Sequence, residues 1–163
     1  MRVYRATRRP QAAFDPLDSR ASVARDGWRF NDKRSEVLYT AEVEALAILE
    51  VVARPGWTTV DELAIAAIEI PDGSVASLAE LAITLPRNWG MRPAAPNAQR
   101  IGGEFLAAVD RAAATGQRIC GVRVPSVIST SDCNVLLDPR QRAHYKTVAW
   151  SRIPFDWLLT SST

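Results

Sequence analysis

The most constraining feature of this sequence is an apolar run, residues 45–53, that is interrupted by one carboxylate, Glu50. Successive residues of a helix lie about 100° apart, so a helix over this run would be apolar on every side and is expected to be buried. Burying an unpaired carboxylate costs several kcal/mol or shifts its pKa. The chain must therefore fold so that some other group compensates the charge of Glu50.

The length and composition of the chain indicate one globular domain, residues 1–163. Hydrophobic residues make up 47% of the 163 residues and charged residues 23%, which is enough for a substantial core. No apolar run reaches the roughly 18 residues of a membrane span, and the opening segment, MRVYRAT, is typical of a strand rather than a signal peptide. We therefore expect a cytoplasmic protein with no membrane partner.

Charge is unevenly distributed along the chain, although the formal net charge is only +2. Residues 1–34 and 81–163 each carry a net charge of +5, whereas residues 35–80 carry −8. Arginine accounts for 18 of the 20 basic residues. A GC-rich genome favours arginine, and arginine also binds phosphate oxygens through two parallel hydrogen bonds. The nearly neutral total argues against direct binding of nucleic acid.

The pattern of apolar and turn-forming residues predicts a mixed α+β domain. Helices are expected at 42–53 and from Asn97, as the N-cap, to about residue 114. Residues 71–96 are rich in turn formers and are predicted to form a long loop. Gly102 and Gly103, inside the second helix, suggest that another backbone or a ligand approaches closely. Strands are predicted at 2–6, 36–41, 60–70, 118–128 and 144–153.

The residue types present exclude several mechanisms. A Ser-His-Asp triad would depend on His144, which is the one histidine, and the sequence contains no G-x-S-x-G motif. Cys120 and Cys133 form no zinc pattern, and no phosphate-binding glycine motif occurs. We therefore predict no metal site and two reduced, structural cysteines. The chemistry must be carried by arginine, glutamate, serine and tyrosine.

Four residues are candidates for a functional site, and each has a simpler structural explanation. Glu50 could be half of a structural ion pair with an arginine. Arg29 could be a solvated surface residue, although its aromatic neighbours on both sides indicate partial burial. Tyr39 could be a core aromatic residue, and Ser126, which follows a proline at a predicted strand end, could be a turn serine.

The order of several motifs along the chain resembles that of the RES domain family. The family is named for an arginine, a glutamate and a serine, which match Arg29, Glu50 and Ser126. Each motif alone has low specificity, and their shared order from about residue 3 to residue 157 carries the resemblance. The motifs are VYRA at 3–6, GWRFN at 27–31, LYTAEVEALAILE at 38–50, QRIGGEFL at 99–106, VPS at 124–126 and NVLLDP at 134–139.

The resemblance implies an NAD⁺-consuming, growth-inhibiting toxin of a bacterial toxin–antitoxin pair. Its implied fold is similar to that of ADP-ribosyltransferases, with a split mixed β-sheet and flanking helices. Family members release nicotinamide from NAD⁺ and pass the ADP-ribose to water, phosphate or a protein side chain. NAD⁺ is thus the implied substrate, without a metal. The implied partner is a helical, DNA-binding antitoxin of the Xre type that blocks the site, and a protein that receives ADP-ribose would be a second partner.

The resemblance also assigns site roles, which agree with the chemistry of NAD⁺ cleavage. Breaking the nicotinamide–ribose bond develops positive charge on the sugar, which a carboxylate such as Glu50 stabilises. Nicotinamide already carries the positive charge before it leaves, so no general acid is required. Catalytic roles are implied for Glu50, Arg29 and Ser126. The residues implied to bind NAD⁺ are Arg5 and Arg29 at the pyrophosphate, with Asn31, Tyr39 and Ser126 at the nicotinamide or ribose end.

Two other functions stay open at this point. In a non-catalytic binding protein, Arg29 and Glu50 would form a structural salt bridge and the arginine-rich surface would bind a partner. A ribonuclease-type toxin would use a histidine pair or a catalytic lysine. The two lysines, Lys33 and Lys146, lie far apart in the sequence, which disfavours the ribonuclease.

Overall fold

The centre of the structure is a mixed β-sheet of seven strands with two α-helices packed on it. A computed structural model describes residues 1–8, 15–24, 26–53 and 62–154. The strands are β1 (Arg2–Arg8), β2 (Leu38–Ala41), β3 (Glu62–Glu69), β4 (Val75–Ser77), β5 (Gly121–Pro125), β6 (Cys133–Leu137) and β7 (Lys146–Pro154). The α-helices are α1 (Glu44–Val52) and α2 (Pro96–Ala114), and short 3-10 helices cover Arg20–Val23 and Pro139–His144. The predicted α+β class is confirmed.

The strand order in the sheet is β4-β5-β6-β2-β1-β3-β7, and all neighbours are antiparallel except β4 and β5. β1 pairs with β3 along all seven of its residues, but with β2 at one position, Tyr4 with Ala41. The sheet therefore consists of two halves, β4-β5-β6-β2 and β1-β3-β7, that are joined at a single residue pair. This arrangement agrees with the split mixed sheet that the family resemblance implies.

The two faces of the sheet are covered differently, as the alternation of side chains along a strand requires. On β6, Leu136 packs beneath α2, whereas Val135 and Leu137 belong to a second cluster that contains Val3 and Ile68. The predicted apolar face of α2 is confirmed, because its members are all buried: Ile101, Phe105, Ala108 and Ala112.

Helix α1 differs from the expectation of a helix buried on all sides. Leu46, Ala47 and Val51 are buried against the sheet, but Leu49 is 48% exposed and Glu50 is only partly buried. The reason is that α1 packs mainly on β1 and β2, while its opposite face is open. None of the described helices is long and apolar enough to cross a membrane.

Several predicted boundaries need correction. Asn97 is not the N-cap of α2, because the helix begins at Pro96 after Ala95, and the side chain of Asn97 donates to Asn88 Oδ1 at 3.0 Å. Proline is well suited to a first helical position because its φ is already helical. The sequence prediction missed β4, inside the expected loop, and β6, whose buried side chains on both faces remove the alternating pattern. Residues 60 and 61 of the predicted third strand lie outside the described residues.

Helix α2 approaches another part of the backbone most closely at Gly102. Its N–H donates to Phe30 O at 2.6 Å. A Cβ at this position would lie 2.7 Å from the same oxygen and 2.9 Å from Asn31 Cβ. The close approach predicted for this glycine pair is therefore confirmed. At Gly103 a Cβ would lie 3.1 Å from Ser35 Oγ, a side-chain atom that can rotate away.

We expect Gly102→Ala to destabilise the protein, because the methyl group would push against the backbone of Phe30 and Asn31. The loss should be about 1–3 kcal/mol, as for other overpacked positions. Gly103→Ala is the matched control and should be neutral or stabilising by up to about 1 kcal/mol, since alanine favours helix. Urea unfolding of both variants measures the difference. Equal stability of the two variants would contradict this account.

Candidate functional site

A cleft opens where the pairing between β1 and β2 stops. Residues 5–7 of β1 and 38–40 of β2 would face one another if the pairing continued beyond Tyr4 and Ala41, and all of them line the cleft instead. Its volume is about 870 Å³. Helix α1 and the segments 26–30 and 92–94 form the other walls. The gap between the two halves of the sheet thus creates the site.

Glu50 reaches this cleft from α1, and two neutral donors hold its carboxylate. Ser126 Oγ, just after β5, and Asn134 Nδ2, on β6, each donate to Glu50 Oε1 at 2.6 Å. Ser126 Oγ also accepts from the backbone N–H of Ile128 at 3.0 Å, so its own proton is directed to Glu50. The helix is thereby joined to two strands of the sheet, and one oxygen of Glu50 has a fixed position.

Arg29 lies in the turn before Phe30 and is partly buried, as its aromatic neighbours suggest. Its Nη1 donates to the carbonyl oxygens of Trp89 at 3.0 Å and Met91 at 3.1 Å. Burial lowers the pKa of Arg29, and the nearby charge of Arg92 lowers it further, while Glu50 and Tyr39 act in the opposite direction. Among the contacts between described residues, Arg29 and Glu50 form no direct ion pair.

Tyr39 is held by hydrogen bonds that occupy its hydroxyl. The hydroxyl accepts from the backbone N–H of Phe30 at 3.0 Å and donates to Asn31 Oδ1 at 2.9 Å. Asn31 is fully buried, and its Nδ2 donates to the carbonyl oxygens of Ser22 and Asp32 at 2.9 and 3.0 Å. Tyr39 therefore lines the cleft with its ring, and Asn31 lies behind it as a positioning residue.

Arg5 lines the cleft from β1, close to the point where the two halves of the sheet separate. Its Nη1 donates to Pro16 O at 2.6 Å. Burial lowers the pKa of Arg5 to about 10, although the carboxylates of Asp18 and Asp15 partly oppose this effect. A guanidinium that has lost part of its hydration gains from a bound anion.

The structure brings the sequence-predicted residues together at one place. Arg5, Arg29, Tyr39 and Glu50 line the cleft itself. Ser126 and Asn31 lie behind this wall, where each bonds a residue that lines it. The described residues that line the cleft include no histidine and no lysine.

Sequence reasoning missed two residues of the site. Asn134 begins the recognised motif NVLLDP. It is a polar residue directly before three buried apolar residues, and this pattern is the signal that could have identified it. Arg92 lines the cleft from the predicted loop, where nothing in the local sequence distinguishes it from other exposed arginines.

Comparisons with known proteins identify the family of this chain. Residues 2–158 match the RES domain. The chain belongs to the RES domain family. It is also similar to a protein named Toxin Res from Yersinia enterocolitica serotype O:8 / biotype 1B (strain NCTC 13174 / 8081), with 30% identity over 118 residues that cover 72% of this chain and 71% of the relative. The family resemblance carried by the sequence motifs is therefore confirmed.

In this RES domain, we expect Asn134→Asp to make stability depend on pH. The change places a second carboxylate at hydrogen-bond distance from Glu50 and raises the pKa of one of the two acids. The folded state then binds a proton that the unfolded state releases, so stability falls as pH rises. The loss relative to wild type should be larger at about pH 8 than at about pH 5, by about 1.4 kcal/mol for each unit by which the raised pKa exceeds about 5.

Asn97→Asp is the matched control for this experiment. Asn97 is exposed in the first turn of α2, where a carboxylate interacts favourably with the helix dipole. Thermal melting of both variants at the two pH values measures the difference. If both variants lost stability equally with rising pH, the Glu50 contact would not be the cause.

Proposed function

We propose that this RES domain is the toxin of a toxin–antitoxin pair and cleaves the nicotinamide–ribose bond of NAD⁺. The observation that supports this most directly is the Glu50 carboxylate, which is held at one oxygen by Ser126 and Asn134 in a cleft that also presents arginines. A cationic sugar centre and an anionic pyrophosphate in one ligand match this combination of charges.

Glu50 would stabilise the transition state of the cleavage. The electron pair of the breaking bond goes to the nicotinamide ring nitrogen, which becomes neutral, and positive charge develops on the ribose. A carboxylate facing that charge lowers the barrier, and one that is already oriented needs little rearrangement during the reaction. Ser126 and Asn134 would thus contribute by fixing the position of Glu50 Oε1.

The arginines would hold the pyrophosphate. Arg29 and Arg5 both line the cleft, and burial weakens their hydration. Charge-assisted hydrogen bonds to phosphate oxygens would replace the lost water contacts. The volume of about 870 Å³ lies in the range of small-molecule sites, roughly 300–1,000 Å³, and fits a ligand of dinucleotide size.

Tyr39 would contact the ligand through its ring rather than its hydroxyl, because Phe30 and Asn31 occupy the hydroxyl. The Trp28 ring lies 6.0 Å from the Tyr39 ring at an angle of 40° and also lines the cleft. Two aromatic rings at this position favour stacking with nicotinamide or packing against ribose.

The wider function follows from the same proposal. The similar protein from Yersinia enterocolitica is named a toxin, and loss of NAD⁺ in the cytoplasm would stop growth. The proposed partner is a helical Xre-type antitoxin that covers the cleft. The ADP-ribose would pass to water, phosphate or a protein side chain, and a fold similar to that of ADP-ribosyltransferases would suit each acceptor. The identity of the ADP-ribose product distinguishes the three.

The two alternative functions receive less support from the site. Glu50 accepts from neutral donors and Arg29 donates to carbonyl oxygens, so their recorded contacts do not form the salt bridge of a purely structural pair. The described lining of the cleft also offers no histidine or lysine for a ribonuclease.

We expect Glu50→Gln to abolish most NAD⁺ cleavage without unfolding the protein. Glutamine keeps an oxygen that accepts from Ser126 and Asn134, but it removes the negative charge. Nicotinamide release, measured by proton NMR, should fall by roughly 10²- to 10³-fold, as for the loss of one transition-state stabiliser. Melting temperature should stay close to that of wild type.

Glu44→Gln is the control on the same helix, because Glu44 is exposed in the first turn of α1. It should keep wild-type turnover. Full turnover by Glu50→Gln would contradict the catalytic role, and a melting temperature far below wild type would instead favour a structural charge at this position. Parallel incubation with RNA tests the ribonuclease alternative.

We expect expression of this RES domain in bacteria to arrest growth and to lower cellular NAD⁺. Co-expression of a cognate Xre-type antitoxin should restore both, because it would cover the cleft. Culture density and an NAD⁺ assay of cell extracts measure the result, with Glu50→Gln at equal expression as the control. Normal growth with abundant wild-type protein, or arrest that persists with the variant, would contradict the proposal.

A further inference from the structure

Residues 86–93, here called the Arg92 loop, have a fixed position beside the cleft. Arg29 Nη1 donates to two carbonyl oxygens of this loop, those of Trp89 and Met91. The Trp89 ring stacks on Phe30 with centroids 6.0 Å apart and an angle of 20° between the planes. The N–H of Met91 donates to Asn88 O at 3.1 Å. The loop is therefore held by the same turn that carries Arg29.

Arg92 extends from this loop to the cleft and lines it. Within the described part of the chain, its guanidinium makes no recorded hydrogen bond or ion pair. Its positive charge acts on Arg29, whose pKa it lowers. Two cations that face one cleft repel each other when it is empty and are both stabilised by an anion between them.

Two of the arginines that line the cleft, Arg5 and Arg29, differ in their surroundings. The charges that act on Arg5 are the carboxylates of Asp15 and Asp18, which partly neutralise it. The largest charge effect on Arg29 comes from Arg92, and it exceeds the opposing effect of Glu50. Among the described contacts, Arg29 uses only Nη1, which bonds the loop, so Nε and Nη2 stay available to a ligand. The pair best placed to share one anion is therefore Arg29 with Arg92.

We propose that Arg92 and Arg29 form a pyrophosphate subsite, in which Arg92 selects a pyrophosphate-containing substrate over nicotinamide riboside. The inference rests on the proposed function and assigns the specificity of that same cleft. The pyrophosphate of NAD⁺ carries two negative charges, so it satisfies both guanidinium groups. A nucleoside without phosphate satisfies neither. Arg29 also bonds the loop that carries Arg92. In this proposal the Arg29 side chain therefore both binds the substrate and fixes the position of Arg92.

The test compares Arg92→Ala and Arg92→Lys with Arg87→Ala, an exposed arginine of the same loop that does not line the cleft. Calorimetry measures affinity for ADP-ribose, and nicotinamide release measures kcat and KM for NAD⁺. Arg92→Ala should weaken ADP-ribose binding and raise KM for NAD⁺ by roughly 10- to 100-fold, with little change in kcat. Arg92→Lys should recover only part of the loss, because lysine lacks the planar fork. Arg87→Ala should match wild type.

Several outcomes would overturn the inference. One is an Arg92→Ala variant with the same ADP-ribose affinity and the same KM for NAD⁺ as Arg87→Ala. This result would reject the role of Arg92 and would not contradict the proposed cleavage of NAD⁺. Another is an Arg92→Ala variant with unchanged KM for NAD⁺ but lost stimulation by inorganic phosphate, since this would place the acceptor at Arg92. If wild type binds ADP-ribose in an Arg92-dependent manner but releases no nicotinamide, the subsite stands and the proposed reaction is wrong. Absence of both binding and cleavage in wild type would overturn both proposals.

Discussion

The pairing between β1 and β2 stops after Tyr4 and Ala41, and the site depends on this interruption. Strands that continued to pair would bring residues 5–7 of β1 against β2 and leave no cleft. Helix α1 begins three residues after Ala41, so the same point in the sheet determines where Glu50 lies. The hydrogen bonds from Ser126 and Asn134 then join α1 to the β5-β6 half of the sheet. The fold thus positions a carboxylate over a gap between two half-sheets.

Among the described residues, Glu50, Arg29 and Arg92 form no direct ion pair with one another. Glu50 accepts from neutral groups, Arg29 donates to backbone carbonyls, and Arg92 lies close enough to affect the pKa of Arg29. A ligand that brings an anion to the arginines and a cationic centre to the carboxylate would stabilise these charges. This is the physical basis of the proposed reaction.

The positions of the site residues depend on packing well outside the cleft. Gly102 lets α2 contact the backbone at Phe30, and this segment in turn carries Arg29 and the Asn31 amide that bonds Tyr39. A glycine inside a helix lowers helix stability by about 1 kcal/mol relative to alanine. The close approach that it permits keeps the turn in place, so the helix contributes to the site without touching the ligand.

Local sequence patterns determined the α+β class, the buried face of α2 and most strands, because alternation and helical spacing act over a few residues. The motif order along the chain also indicated Arg29, Glu50 and Ser126. Only the tertiary structure decided that Asn134 and Ser126 both bond Glu50 and that Arg92 lines the same cleft as Arg29. Those contacts join residues that are far apart in the chain, and they exist only because β2 lies between β6 and β1. Local sequence does not encode which strands become neighbours; the packing of the whole chain does.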